Sequence, residues 1–136
     1  MTIESLVRRL SAPVIVFLLT LASTVATVHA AENPRKMTVV SFGLFGDEGV
    51  FRREATGAAQ IVANRFGGAP VVVKYNTKTG GSATVETLAT TLQAEAKKMD
   101  AESDILFLIS TSHGTRDGLV VSAGRTVETL TPPNLA

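Results

Sequence analysis

Outside its first thirty residues the chain holds one histidine, His113, in the run Ser110-Thr-Ser-His-Gly114. Imidazole changes charge near neutral pH, so a histidine on a loop beside a sheet suits general acid–base work. Gly114 next to it lets a backbone N–H approach a substrate oxygen, as an oxyanion donor must. A lone loop histidine is also ordinary polar surface, and both readings stand at this point. Ser110 and Ser112 lie too close to His113 in sequence to define a nucleophile–base geometry, and no Gly-x-Ser-x-Gly elbow is present. Arg52 and Arg53 follow the first strand, where a guanidinium could grip a carboxylate or a carbonyl oxygen. The plainer reading is a solvated pair with Glu54 or Asp47. The loop Gly43-Leu-Phe-Gly46-Asp-Glu-Gly49 follows a strand and opens a helix, a place where phosphates bind. Its glycines are spaced G-x-x-G-x-x-G, and no Gly-Lys-Ser/Thr follows. Turn positions of positive φ are therefore the simpler account, and a small nucleotide-binding protein is the weaker one.

The elements that must position these residues alternate. Met37–Phe42 reads as a strand, and Phe51–Phe66 as a helix with Phe51, Ala55, Ala58, Ala59, Val62 and Phe66 on one face. Gly67-Gly68 ends that helix by a left-handed cap. Val71–Tyr75 is a second strand, and Asn76–Ala83 a polar loop. A second helix starts at Thr84, capped by Ser82 or Thr84, and runs to Met99. Ile105–Ile109 is a third strand, and its five apolar residues predict burial on both faces. Gly118–Ser122 and Thr126–Leu130 form a hairpin about Ala123-Gly124-Arg125. Thr131-Pro132 reads as the start of a helix. The order β-α-β-α-β-hairpin predicts a three-layer α/β sandwich with a mainly parallel sheet. It reads as incomplete, because no fourth strand follows the helix at Thr131.

Of the 136 residues, 45% are apolar and 18% charged, which excludes a disordered chain. The net charge of +1 offers no basic excess for nucleic acid. Arg8 and Arg9, an uncharged stretch Leu10–Val28, and Val28-His29-Ala30 read as a secretory signal peptide over residues 1–30. An uncleaved membrane anchor is the alternative. The expected location is secreted or periplasmic, with no membrane contact after cleavage. Residues 31–36 read as a polar leader, and 37–136 as the folded part. The sequence contains no cysteine. That excludes disulfides, Cys-ligated zinc, iron–sulfur clusters and a cysteine nucleophile within it. One histidine and scattered carboxylates predict no metal site, and nothing calls for a cofactor.

An apolar strand, then Ser-His113-Gly114, then a hairpin resembles the histidine side of the caspase- and legumain-like cysteine peptidases. Val39-Val-Ser-Phe-Gly43 is similar to the first strand of the legumain family, peptidase family C13. Phe51-Arg52-Arg53-Glu54-Ala55 resembles its Tyr-Arg-His-Gln-Ala run, and Gln60-Ile61-Val62 the later part of that helix. Asp104-Ile-Leu-Phe-Leu-Ile through His113-Gly114 resembles its Asp-His-Val-Phe-Ile-Tyr…Asp-His-Gly. The likeness covers about residues 37–135 and the first half of the family's catalytic domain.

The resemblance implies a caspase/legumain-like sandwich and a cysteine-type endopeptidase cutting after Asn or Asp. By position, His113 is then the catalytic base and the Gly114 N–H part of the oxyanion hole. Arg52 lines the primary specificity pocket, and Arg53 stands where legumain has His. The Asn that orients the family's histidine falls at Val50. The family's nucleophilic Cys, which follows its fourth strand, has no counterpart here, so the chain is expected to be an inactive fragment. The expected partner is a peptide or protein substrate. The alternative is a secreted, non-catalytic peptide- or protein-binding module. If Ile105–Ile109 lacks a neighbour strand, its edge also predicts self-association.

Overall fold

A computed structural model describes residues 35–135. The expected signal peptide, and the leader up to Pro34, lie outside those residues. No described helix is long and apolar enough to cross a membrane.

The elements follow in the order β1 (Met37–Gly43), α1 (Gly49–Arg65), β2 (Val71–Thr77), β3 (Gly80–Gly81), α2 (Val85–Ala96), β4 (Ile105–Thr111), β5 (Leu119–Ala123), β6 (Thr126–Leu130) and a 3₁₀ turn (Pro132–Leu135). A four-stranded sheet has the order β3-β2-β1-β4, and β5-β6 form a separate hairpin. β1 runs parallel to both β2 and β4, pairing Val39 with Val71 and with Phe107. Only the short β3 is antiparallel. The described residues therefore form an α/β fold with a mixed, mostly parallel sheet.

β1 is the central strand, buried from Thr38 to Gly43. Its alternation serves two layers. Val39 packs with Ala59 and Ala63 of α1, and the Ser41 hydroxyl donates to the Ala55 carbonyl at 2.8 Å. Val40 and Phe42 face the other way, into a core with Leu44, Leu88 of α2, Val121 and Leu130. Helices thus cover opposite faces, as right-handed crossovers that run in opposite directions along the sheet, from β1 to β2 and from β2 back past β1 to β4, require.

Helix α1 buries Phe51, Ala55, Ala59 and Ala63, an i,i+4 stripe of small residues below one aromatic. Phe66, expected on that face, is the C-cap and is exposed. The small stripe brings α1 close to the sheet. A Cβ on Gly43 would lie 2.8 Å from the Phe51 carbonyl oxygen. Gly67 (φ 74°) and Gly68 (φ 83°) supply the expected left-handed exit. At α2 the cap is Thr84, in a reciprocal capping box with Thr87.

Two further expectations fail, each for a physical reason. Ile105–Ile109 is not buried on both faces. β4 is an edge strand, and Ile105 and Phe107 are 41% and 39% exposed. Leu106 and Leu108 do pack against the core on the α2 side. An apolar run reports hydrophobicity, not strand order, and the strand order put β1 in the centre. Second, Asn76–Ala83 is not simply a loop. β2 continues through Asn76 and Thr77, which pair with Gly81 and Gly80.

Asn76 is buried, and its amide holds three segments together. Its Nδ2 donates to the carbonyls of Leu44 and Ala83, both at 2.8 Å. Its Oδ1 accepts from the Ala83 N–H at 2.9 Å. The Leu44 carbonyl also accepts from the Ser122 N–H at 2.9 Å. This cluster ties the loop after β1 to β2, to the start of α2 and to the hairpin.

Candidate functional site

The chain leaves β1 toward β2 through α1, then returns through α2 to β4 on the other side of β1. The loops after β1 and β4 therefore diverge at the carboxyl ends of neighbouring parallel strands. In open α/β sheets that switch point forms the binding crevice. His113 follows β4, and Phe45 and Glu48 follow β1, so sequence-distant residues meet there.

Glu48 is the N-cap residue of α1, with extended backbone (φ −121°, ψ 117°) and no side-chain capping bond. Its Oε1 lies 2.8 Å from His113 Nε2 instead. The two side chains are 53% and 50% exposed. Such a pair is worth at most about 1 kcal/mol of stability, so its effect is orientation. The ring is also gripped by two aromatic neighbours. Phe45 meets it edge-on at 4.7 Å between centroids, and Phe51 at 4.9 Å. The two phenyl rings are themselves 5.7 Å apart in a T-shaped pair. Contacts of this kind add about 0.5–1.5 kcal/mol each beyond burial. Val50, where the resemblance sets the expected place of an orienting Asn, sits half-buried in the first turn of α1. Glu48 makes the histidine contact two residues earlier.

The Gly114 N–H has no hydrogen-bond partner among the described residues. The His113 carbonyl accepts from the Val120 N–H at 2.9 Å, and the Thr115 N–H donates to the Gly118 carbonyl at 2.7 Å. The His113–Gly114 peptide is trans, so the Gly114 N–H points opposite to that carbonyl, away from β5. Its φ is not positive, and a Cβ there would meet nothing within 4 Å. Folding does not demand glycine at this place. Ser112 donates its hydroxyl to the Val120 carbonyl, which removes it as a free nucleophile.

Arg52 and Arg53 lie on the β1–β2 side of the same sheet end. The expected solvated pairs with Glu54 or Asp47 do not form. Glu54 accepts from the Thr111 hydroxyl, and Asp47 from Ser122 at 2.9 Å. Neither arginine forms an ion pair among the described residues. The Arg52 guanidinium stands 5.7 Å from the Tyr75 ring centroid. It borders a cleft of about 310 Å³ lined by Gly46, Asp47, Gly49, Thr77 and Lys78. On its other flank is an open cleft of about 560 Å³ with Arg53, Thr56, Gly57 and Tyr75. His113 and Gly114 line neither, and Phe51, beside Arg52, links the two sides through its contact with His113. A further cavity of about 500 Å³ opens at the amino ends of the strands, near Met37 and Asp104, opposite the switch point.

The glycine loop is not a phosphate cradle. The Leu44 N–H bonds to Thr111 and the Gly46 N–H to Ser122. Positive φ does not explain its glycines either, since Gly43, Gly46 and Gly49 all lack it. Gly46 is there for close packing: a Cβ would lie 2.4 Å from the Thr77 carbonyl oxygen and 2.8 Å from that of Ser122. Among the described residues no three His, Asp or Glu side chains gather as a metal site would need.

Fold and site together define an open α/β protein with a histidine–carboxylate pair at the switch point of its sheet. Comparison with family models, with characterised proteins and with solved structures gives no match.

Proposed function

We propose that this chain carries the histidine, oxyanion and specificity parts of a legumain-like cysteine endopeptidase site, with no thiol among its 136 residues. The observation that carries the reading is the oriented His113 beside the outward Gly114 N–H at the carboxyl edge of the sheet. In such a site a thiolate attacks the peptide carbonyl. His113 takes the thiol proton and returns it to the leaving amine, while Gly114 N–H donates to the carbonyl oxygen as charge develops there. The Arg52 guanidinium, without an ion-pair partner among the described residues, suits an Asn or Asp side chain before the scissile bond. Without a nucleophile, these residues bind and polarise a peptide and do not cut it.

The test is titration of the full chain with a blocked peptide ending in Asn, followed by backbone amide NMR. Saturable shifts at Gly114 and His113 are expected, with no hydrolysis above a His113→Ala control. Absence of those shifts overturns the reading.

A second reading, a non-catalytic module that self-associates, is favoured by one observation. β4 is an edge strand whose seven residues, Ile105–Thr111, include no charge and no proline to blunt it. Sedimentation as a monomer across a wide concentration range overturns it.

A further inference from the structure

The short polar side chains usual at an N-cap, Ser, Thr, Asp and Asn, accept from N–H groups of their own helix. Glu48 does not, and reaches His113, 65 residues away. An ionised carboxylate only accepts, so the ring nitrogen facing it must be the donor. We propose that Glu48 is the positioning residue of this site. It holds His113 as the Nε2–H tautomer and leaves Nδ1 as the nitrogen that exchanges a proton with a reacting group. Phe45 and Phe51 fix the plane of the ring from two sides, and Glu48 selects between its two flipped orientations about the Cβ–Cγ bond. The inference rests on His113 acting as the base. It adds which nitrogen acts and which residue selects it.

The test is NMR of the ¹⁵N-labelled full chain at neutral pH, with the His113 ring signals assigned by their loss in His113→Ala. A hydrogen-bonded Nε2 proton, slow to exchange with water, is expected in the unaltered chain. Glu48→Ala should abolish it, and Glu48→Gln should keep it, because the amide oxygen still accepts. The pair is half-exposed, so the melting midpoint of Glu48→Ala should fall by no more than about 8 °C. A proton on Nδ1 in the unaltered chain, or a persisting Nε2 proton in Glu48→Ala, overturns the assignment. A merely structural glutamate would shift the midpoint and leave the proton in place. Loss of this assignment with peptide binding intact refutes the role of Glu48 alone. Loss of peptide binding with the Nε2 proton intact refutes the peptidase reading alone.

Discussion

Asn76→Ala should be among the most damaging single changes at the carboxyl end of the sheet. The amide is 3% exposed and makes three hydrogen bonds. Truncation leaves the Ala83 N–H and C=O without these partners, at a residue that is fully buried. The Leu44 carbonyl is spared, because Ser122 still donates to it. Two orphaned groups at about 1–3 kcal/mol each give a loss of about 2–6 kcal/mol. For a domain of this size about 3 kcal/mol lowers the melting midpoint by about 12–24 °C. Urea unfolding followed by circular dichroism reads the loss, with an unchanged slope confirming that the native fold is kept. Leu44 precedes Phe45, so the contact of Phe45 with His113 should loosen as well. A variant within about 0.5 kcal/mol of the parent would refute the reasoning, since surface changes cost that little.

Two further outcomes follow from the same geometry. The Asp104 carboxylate accepts from the backbone N–H of Asp100 at 2.9 Å and of Lys36 at 3.0 Å, which holds its pKa below the ordinary 3.8. Its contribution is therefore present above the unfolded-state value and lost as pH falls through the lower folded-state value. Asp104→Asn should flatten the acid limb of stability below about pH 4 without changing the neutral limb's slope; an unaltered acid limb in pH-dependent unfolding would contradict this. Phe107→Lys puts a charge on the exposed face of the edge strand, so any concentration-dependent association seen in sedimentation should disappear. Association that survives the substitution does not run through β4.

The order of strands and helices was legible because crossovers and periodicity are local signals. So were the glycine exit at Gly67-Gly68, a cap at Ser82 or Thr84, of which the structure uses Thr84, and the hairpin turn at Gly124 (φ 66°). His113 and Arg52 were placed at the right end of the sheet for the same reason, since each follows a strand. What could not be read was long-range. Glu48 looked like one acid of a polar loop, and its bond to His113 spans 65 residues. An acidic N-cap without a bond to its own helix was the signal, and it is visible only in three dimensions. Asn76 was hidden in an apparent loop, and its value lies in three backbone bonds to two separate segments, one at Leu44 and two at Ala83. Turn geometry is the local reading of the glycines at 43 and 46, whereas neighbouring carbonyls explain them. The edge position of β4 depends on the order β3-β2-β1-β4, which no window of residues encodes.

The most direct test of the central claim is the peptide titration, read at Gly114 and compared with Arg52→Ala. A peptide ending in Asn should shift the Gly114 amide saturably. Arg52→Ala should weaken that binding about tenfold, which corresponds to the loss of one hydrogen bond to a charged group. A peptide ending in Lys should bind no better than to Arg52→Ala. Shifts confined to other surfaces, or equal affinity for the Asn and Lys peptides, would contradict a peptidase-like site at His113.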